Sequence, residues 1–248
     1  MVTIDSPSEQ HSARIEGSDF SRARLHGPDF ENSVVTDGWF INADFSGDVE
    51  GMLVNGVEIR PLIEAELDRR SPGRALLRAT DPNGIGEAWT MLDAMWTTTI
   101  SRARTLPEPL LYERVNEEWS FVETLRHLIM ATDCWHGRMI QGDPHSYHPW
   151  GLAGPFLSEP ESLGLDIAAK PSLDEVLVVR QGRFADVGGT ITSLTETELE
   201  RVCQPPLSPG HPNQPRSVLH CLHVILNEEW EHNRYANRDL DLLDKGLQ

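Results

Sequence analysis

Cysteine is scarce in this chain. Cys134, Cys203 and Cys221 are the only three thiols in 248 residues, too few and too widely spaced for a disulfide framework or a zinc ribbon, and they suit a reducing cytosol. Basic residues are also in short supply. Twenty-one Lys and Arg against 39 Asp and Glu leave a formal charge of −18, which repels phosphate backbones and anionic membrane surfaces, and no basic cluster compensates it. Nucleic acid and membrane are therefore not expected partners. No stretch holds 18 consecutive apolar residues, and the opening MVTIDSPSEQHSARIEG lacks the basic start and apolar run of a signal peptide, so a cytoplasmic protein is expected. The phosphate-binding loop, the dinucleotide fingerprint and the G-x-S-x-G nucleophile elbow are absent as well. What remains is ordinary for a chain able to bury a core, with 39% hydrophobic residues.

From Ala13 onward a large apolar residue recurs at every fifth position: Ile15, Phe20, Leu25, Phe30, Val35, Phe40 and Phe45. A mostly small residue stands two places before each: Ala13, Ser18, Ala23, Pro28, Ser33, Gly38 and Ala43. A period of five fits neither helix nor strand. The pattern resembles the pentapeptide-repeat family, which implies a short right-handed β-helix of square coils with both residues of each pair pointing inward. After Gly47 the register slips by one and continues through Val49, Val54 and Ile59. So short a piece cannot present a duplex-length rod, and its reading is a structural cap or an oligomerisation surface, which leaves room for a homodimer.

Pro61 at a first helical turn, followed by LIEAELDRR, predicts a helix that closes the stack. The breakers Ser71-Pro72-Gly73 and Asp81-Pro82-Asn83-Gly84 then mark a linker. The chain divides accordingly into a repeat segment over 1–60, a capping helix and linker over 61–82, and a mainly α bundle over 83–248. Four long helical patterns are expected, near 85–106, 118–140, 172–193 and 217–244. The third opens on the capping box Ser172-Leu173-Asp174-Glu175, with Gly188-Gly189 as a site for a kink. A loop of some thirty residues separates the second and third patterns, a length typical of lids and binding loops. A shorter helix starts at Thr195, and a proline-rich connection over 204–215 leads into the last. The sum is a four-helix bundle with two long crossings.

The last helix carries the chemistry. Val218, Cys221, Leu222, Val224, Ile225, Tyr235, Ala236, Leu240 and Leu243 share one face at 100° per residue, and Glu228 and His232 fall inside the same arc. A carboxylate on an apolar face needs a compensating partner: a cation, a hydrogen-bond network or a metal. The i, i+4 spacing lets Glu228 and His232 share one ion. Alternatively, Glu228 pairs with an arginine of a neighbouring helix and His232 is a satisfied core histidine. His127 on the second helix sits at the edge of the buried surface. Cys134 on a similar face reads as a small buried hydrophobe, and Tyr235 as either a proton donor or a packed tyrosine.

WSFVETLRHL with ATDCW, over 119–128 and 131–135, and LNEEWEHNRYANRDL, over 226–240, resemble the DinB/YfiT-like superfamily. The resemblance implies a four-helix bundle holding a divalent metal through one histidine on the second helix and two, in H-x-x-x-H, on the last. His127 matches the first and His232 the last, while the middle histidine is replaced by Glu228. His127, Glu228 and His232 are then the expected metal ligands. Zinc accepts such a set, and its one carboxylate also suits manganese, iron(II) or nickel. Glu123 is the expected acceptor for an imidazole N–H, and His148 could approach from the rim. Glu229-x-x-His232 has the di-iron spacing but lacks a second such pair. The activity implied is a metal-dependent thiol S-transferase or thiol-dependent isomerase that uses a low-molecular-weight thiol such as mycothiol on a small electrophile, with Tyr235 as the catalytic side chain. The competing readings are a metal-activated-water hydrolase and a non-catalytic binding or assembly protein.

Overall fold

A computed structural model describes residues 17–25, 28–154, 157 and 159–246. The chain divides into two compact units, Met1–Asp48 and Val49–Gln248.

In the first unit the five-residue period is written into the backbone. Positive φ recurs at Gly17, Arg22, Asn32, Asp37, Asn42 and Gly47, so the chain turns a corner every fifth residue; Ala13, Ile15 and Gly27 lie outside the described residues. Ala23 N–H donates to Phe20 O, Ser33 to Phe30 and Ala43 to Phe40. One expectation is corrected. Phe20, Phe30, Phe40 and Phe45 are not enclosed but 50 to 58% exposed. So short a stack has no interior level, and each ring keeps one side in solvent.

The second unit begins with a hairpin where the slipped repeat register was expected to continue. Strands β1 (Leu53–Val54) and β2 (Val57–Glu58) pair antiparallel around Asn55-Gly56, both with positive φ. An Asn-Gly pair with that geometry makes a two-residue hairpin turn, which overrides a period of five. Helix α1 (Arg60–Arg70) follows, with Pro61 in its first turn as expected. A 3-10 segment, Pro72–Arg78, leads to the bundle.

The bundle comprises α2 (Pro82–Ala103), α3 (Phe121–Thr132), α4 (Leu173–Thr192) and α6 (Val218–Lys245), with the short α5 (Glu196–Glu200) before α6. Each long helix starts where a side chain caps its free N–H groups. Asp81 accepts from Gly84, Ser217 accepts from His220, and Ser120–Glu123 and Ser172–Glu175 form reciprocal capping boxes. α3 runs on into a π-helical stretch, Asp133–Ile140. α3 packs on α4 and α6, and α2 packs on α4 and α6, closing a four-sided ring. α4 continues unbroken through Gly188-Gly189. At Gly188 an added Cβ would lie 3.2 Å from the Trp89 indole nitrogen, so the glycine serves close packing of α4 on α2 and no kink. Trp89 also stacks on Phe184 at 3.9 Å between ring centroids.

Two apolar clusters fill the bundle. One gathers Trp89, Leu92, Met139, Leu222 and Ile225, the other Trp96, Leu125, Leu128, Ile129 and Leu240. Each fully buried aliphatic side chain contributes about 1.5–3 kcal/mol. α6 serves both clusters, Leu222 and Ile225 in one and Ala236 and Leu240 in the other, and Glu228 and His232 lie between them in sequence. Among the described residues no helix is long and apolar enough to cross a membrane. Strands β3 (Val202–Cys203) and β4 (Arg216–Ser217) tie off the second crossing just before α6.

Candidate metal centre

Successive residues on α6 are turned by 100°, and Glu228 and Glu229 therefore face different neighbours. Glu229 faces α4, where it forms a buried ion pair with Arg180, their side chains 1 and 5% exposed. The arginine pairing considered for Glu228 thus falls one residue later, and Glu229 has no part in a di-iron site. Glu228 faces α3. Its Oε2 lies 3.2 Å from His127 Nε2 and 3.1 Å from His232 Nε2. The ligand atoms of His127, Glu228 and His232 all lie within 4.8 Å of one another, the one such group of histidine, cysteine and carboxylate side chains among the described residues. The structure brings together the three residues singled out in the sequence.

One contact fixes how the His127 ring is turned. His127 Nδ1 lies 3.0 Å from the Leu152 carbonyl oxygen. A carbonyl can only accept, so Nδ1 carries a hydrogen and Nε2 is turned to the Glu228 carboxylate. A proton or a metal ion between Nε2 and that oxygen satisfies both. Burial, the largest single influence on Glu228, pushes its pKa up; the hydrogen bonds and charges of His127 and His232 outweigh it and bring the carboxyl down to about 2. Oxygen-to-nitrogen separations of 3.1 and 3.2 Å also match the edges of a coordination polyhedron whose arms are about 2.0–2.2 Å long. Two imidazoles and a carboxylate therefore fit a divalent ion.

Aromatic rings surround the trio. Trp119 lies over His127 at 4.4 Å and near His232 at 6.0 Å between centroids. The Tyr235 ring meets His232 edge-on at 6.1 Å and is flanked by the guanidinium groups of Arg234 and Arg238 at 4.6 and 5.2 Å.

Other candidates fall elsewhere. Glu123 does not reach an imidazole: its carboxylate accepts from Ser120 N–H and from Arg114. At the third helical position it points back toward the cap, and the acceptor for His127 is Leu152 O from the long loop instead. No side-chain pattern could have shown a main-chain carbonyl; the loop's length was the available signal. His148 accepts from Trp150 N–H through Nδ1 within its own loop. His223 donates to Ala79 O at 2.7 Å. His136 is buried against Thr190 Oγ1 at 2.8 Å. Cys134 is buried, and burial pushes its thiol up to about 12, which removes it as a nucleophile.

The described parts of the loop are held at several points. Asp133 takes Arg183 Nε at 2.5 Å and His148 N–H at 2.8 Å. The carbonyls of Trp150, Asp166 and Ala169 accept from Arg126. Likewise Arg138 gathers the carbonyls of Pro206, Ser208, Pro209 and Pro212 in the second crossing.

Residues 91–236 match the family described as DinB superfamily, and residues 11–50 match the family described as Pentapeptide repeats (9 copies). Searches of curated proteins and of solved structures each returned no match.

Proposed function

The chain belongs to the DinB superfamily, a metal-binding family, and on that premise we propose that it is a metal-dependent thiol S-transferase, or a thiol-dependent isomerase of the same chemistry. Its substrate would be a small electrophilic molecule, its cosubstrate a low-molecular-weight thiol such as mycothiol, and its setting the reducing cytoplasm. His127, Glu228 and His232 would hold zinc, manganese, iron(II) or nickel. The observation that carries this reading is the convergence of His127, Glu228 and His232, whose ligand atoms all lie within 4.8 Å of one another, with Glu228 Oε2 at 3.2 and 3.1 Å from the two imidazole nitrogens.

When bound, a divalent ion supplies the positive charge that ionises a coordinated thiol or water near neutral pH. The remaining work falls to the chain. The Leu152 carbonyl fixes the His127 ring with Nε2 turned to Glu228. Glu228 stays ionised and brings one negative charge to the trio, making it a harder ligand set than three imidazoles. Trp119 covers one side of both rings and keeps bulk water from them. Tyr235, beside His232, is the proposed catalytic side chain, donating a proton to the departing group or orienting the substrate. With Cys134 held as a buried thiol, the external thiol is the nucleophile the reading requires.

Metal analysis of the purified protein, repeated after supplementation with each of the four metals, tests the first half. About one equivalent is expected in the wild type and almost none in Glu228→Leu. Conjugation of mycothiol, bacillithiol or glutathione to 1-chloro-2,4-dinitrobenzene tests the second half. A wild type that stays metal-free overturns the proposal, as does a conjugation rate that is the same in Glu228→Leu. Metal-dependent ester hydrolysis without any thiol requirement would replace the transferase with a hydrolase.

A further inference from the structure

Arg126 stands immediately before His127 on α3, yet its side chain is 4% exposed. A buried guanidinium is ordinarily matched by a carboxylate, because desolvating an unpaired charge costs several kcal/mol. Here all three nitrogens donate to main-chain carbonyls: Nε to Trp150 O at 2.9 Å, Nη1 to Ala169 O at 2.6 Å and Nη2 to Asp166 O at 2.8 Å. The three acceptors come from both ends of the long loop. The loop ends are joined by Asp166 N–H donating to Pro149 O at 2.7 Å. Between them Leu152 docks on the same turn of α3 from two directions: its N–H donates to Arg126 O at 3.2 Å, and its carbonyl accepts from His127 Nδ1 at 3.0 Å.

We infer that Arg126 is a positioning residue for the metal centre, a clamp that holds Leu152 O in place and so keeps the His127 ring turned with Nδ1 on that carbonyl and Nε2 toward Glu228. This rests on the metal reading above for its purpose but not for its geometry. Without the clamp the Leu152 carbonyl is no longer fixed, and the His127 ring loses the hydrogen bond that sets its orientation. An imidazole free to turn no longer aims Nε2 at the point shared with Glu228 and His232. The planar fork is essential to the argument: lysine carries the charge but cannot reach three carbonyls that diverge in one plane.

Two readings test this on the full-length protein: the His127 Nδ1–H hydrogen bond, by imidazole nitrogen NMR in the metal-free state, and the affinity for cobalt(II). Arg126→Met should lose the Nδ1–H signature and bind cobalt about 10- to 100-fold more weakly, with Arg126→Lys intermediate. Lysine also keeps the test open should methionine prevent folding. Arg138→Lys is the control, since it loosens the other carbonyl clamp, on residues 206–212, away from His127. It should lower the melting temperature and leave both readings at wild-type values. The inference is overturned if Arg126→Met keeps the Nδ1–H hydrogen bond and its cobalt affinity, or if Arg138→Lys disturbs His127 equally. A wild type that does not bind cobalt would sink the metal reading alone, because the hydrogen bond is read without metal.

Discussion

Glu229→Leu isolates the buried ion pair from the site one residue away. Removing the carboxylate leaves Arg180, 4% exposed, with a charge facing the Trp96 and Phe184 rings at 5.2 and 5.9 Å. Those rings offer cation–π attraction but no hydrogen-bond acceptor, and Arg180 Nη1 already lacks one. Stranding a buried cation in this way costs about 3–5 kcal/mol. For a domain of this size each kcal/mol lowers the melting temperature by about 2–4 °C, so a fall of about 10 °C is expected by calorimetry. The double variant Arg180→Met/Glu229→Leu removes both charges and replaces them with apolar volume, and should recover most of the loss. Metal content should stay at the wild-type level in both, because Glu229 faces α4 and the trio faces α3. A Glu229→Leu melt within about 2 °C of wild type would refute the energetics. A double variant no more stable than the single would show that the pair is not the source of the loss.

Glu228→His restores three imidazoles and makes the site one charge more positive; it should still bind metal, favour zinc over manganese in competition, and shift the acid limb of the activity profile to lower pH. Asp133 has its carboxyl pushed up from 3.8 to about 6 by burial, against the pull of Arg183. A raised acid binds more protons folded than unfolded, so stability falls by up to roughly 3 kcal/mol as pH rises through that window. Glu228, shifted downward to about 2, acts below pH 4.5, while His136, His148, His211 and His220, lowered by burial, add stability as pH rises. Urea melts between pH 4.5 and 6 should therefore show a more positive slope of stability with pH in Asp133→Asn than in the wild type, and identical slopes would contradict the assignment. Phe30→Ala should cost well under the 3–5 kcal/mol of a buried ring, because Phe30 is 54% exposed, and limited proteolysis of the repeat segment at matched protease doses would register a larger loss.

Sequence alone located the helices well because their signals are local. Ser120–Glu123 and Ser172–Glu175 fix two starts by hydrogen bonds within one turn. The stripe from Val218 to Leu240 fixes a buried face by periodicity. The trio was legible only in part from such signals: i, i+4 spacing sets Glu228 and His232 together on one helix, whereas His127 was joined to them by the resemblance to the DinB/YfiT-like superfamily. What stayed hidden depends on partners distant along the chain. Whether Arg180 met Glu228 or Glu229 turned on one 100° step of α6 against α4. Leu152 O left no trace, since any residue has a carbonyl. The Phe20 and Phe30 rings have the pattern of inward residues, but enclosure needs further levels above and below, which a periodic pattern does not count.

The two carbonyl clamps have a consequence for how this scaffold can change. Arg126 and Arg138 recognise Trp150, Asp166 and Ala169, and Pro206, Ser208, Pro209 and Pro212, through main-chain oxygen. Such recognition is blind to side-chain identity, and even proline, which has no N–H to give, supplies the oxygen. The path of each crossing is thereby uncoupled from its sequence. Side chains along the clamped stretches can be exchanged while two arginines keep the main chain of each crossing on the same track.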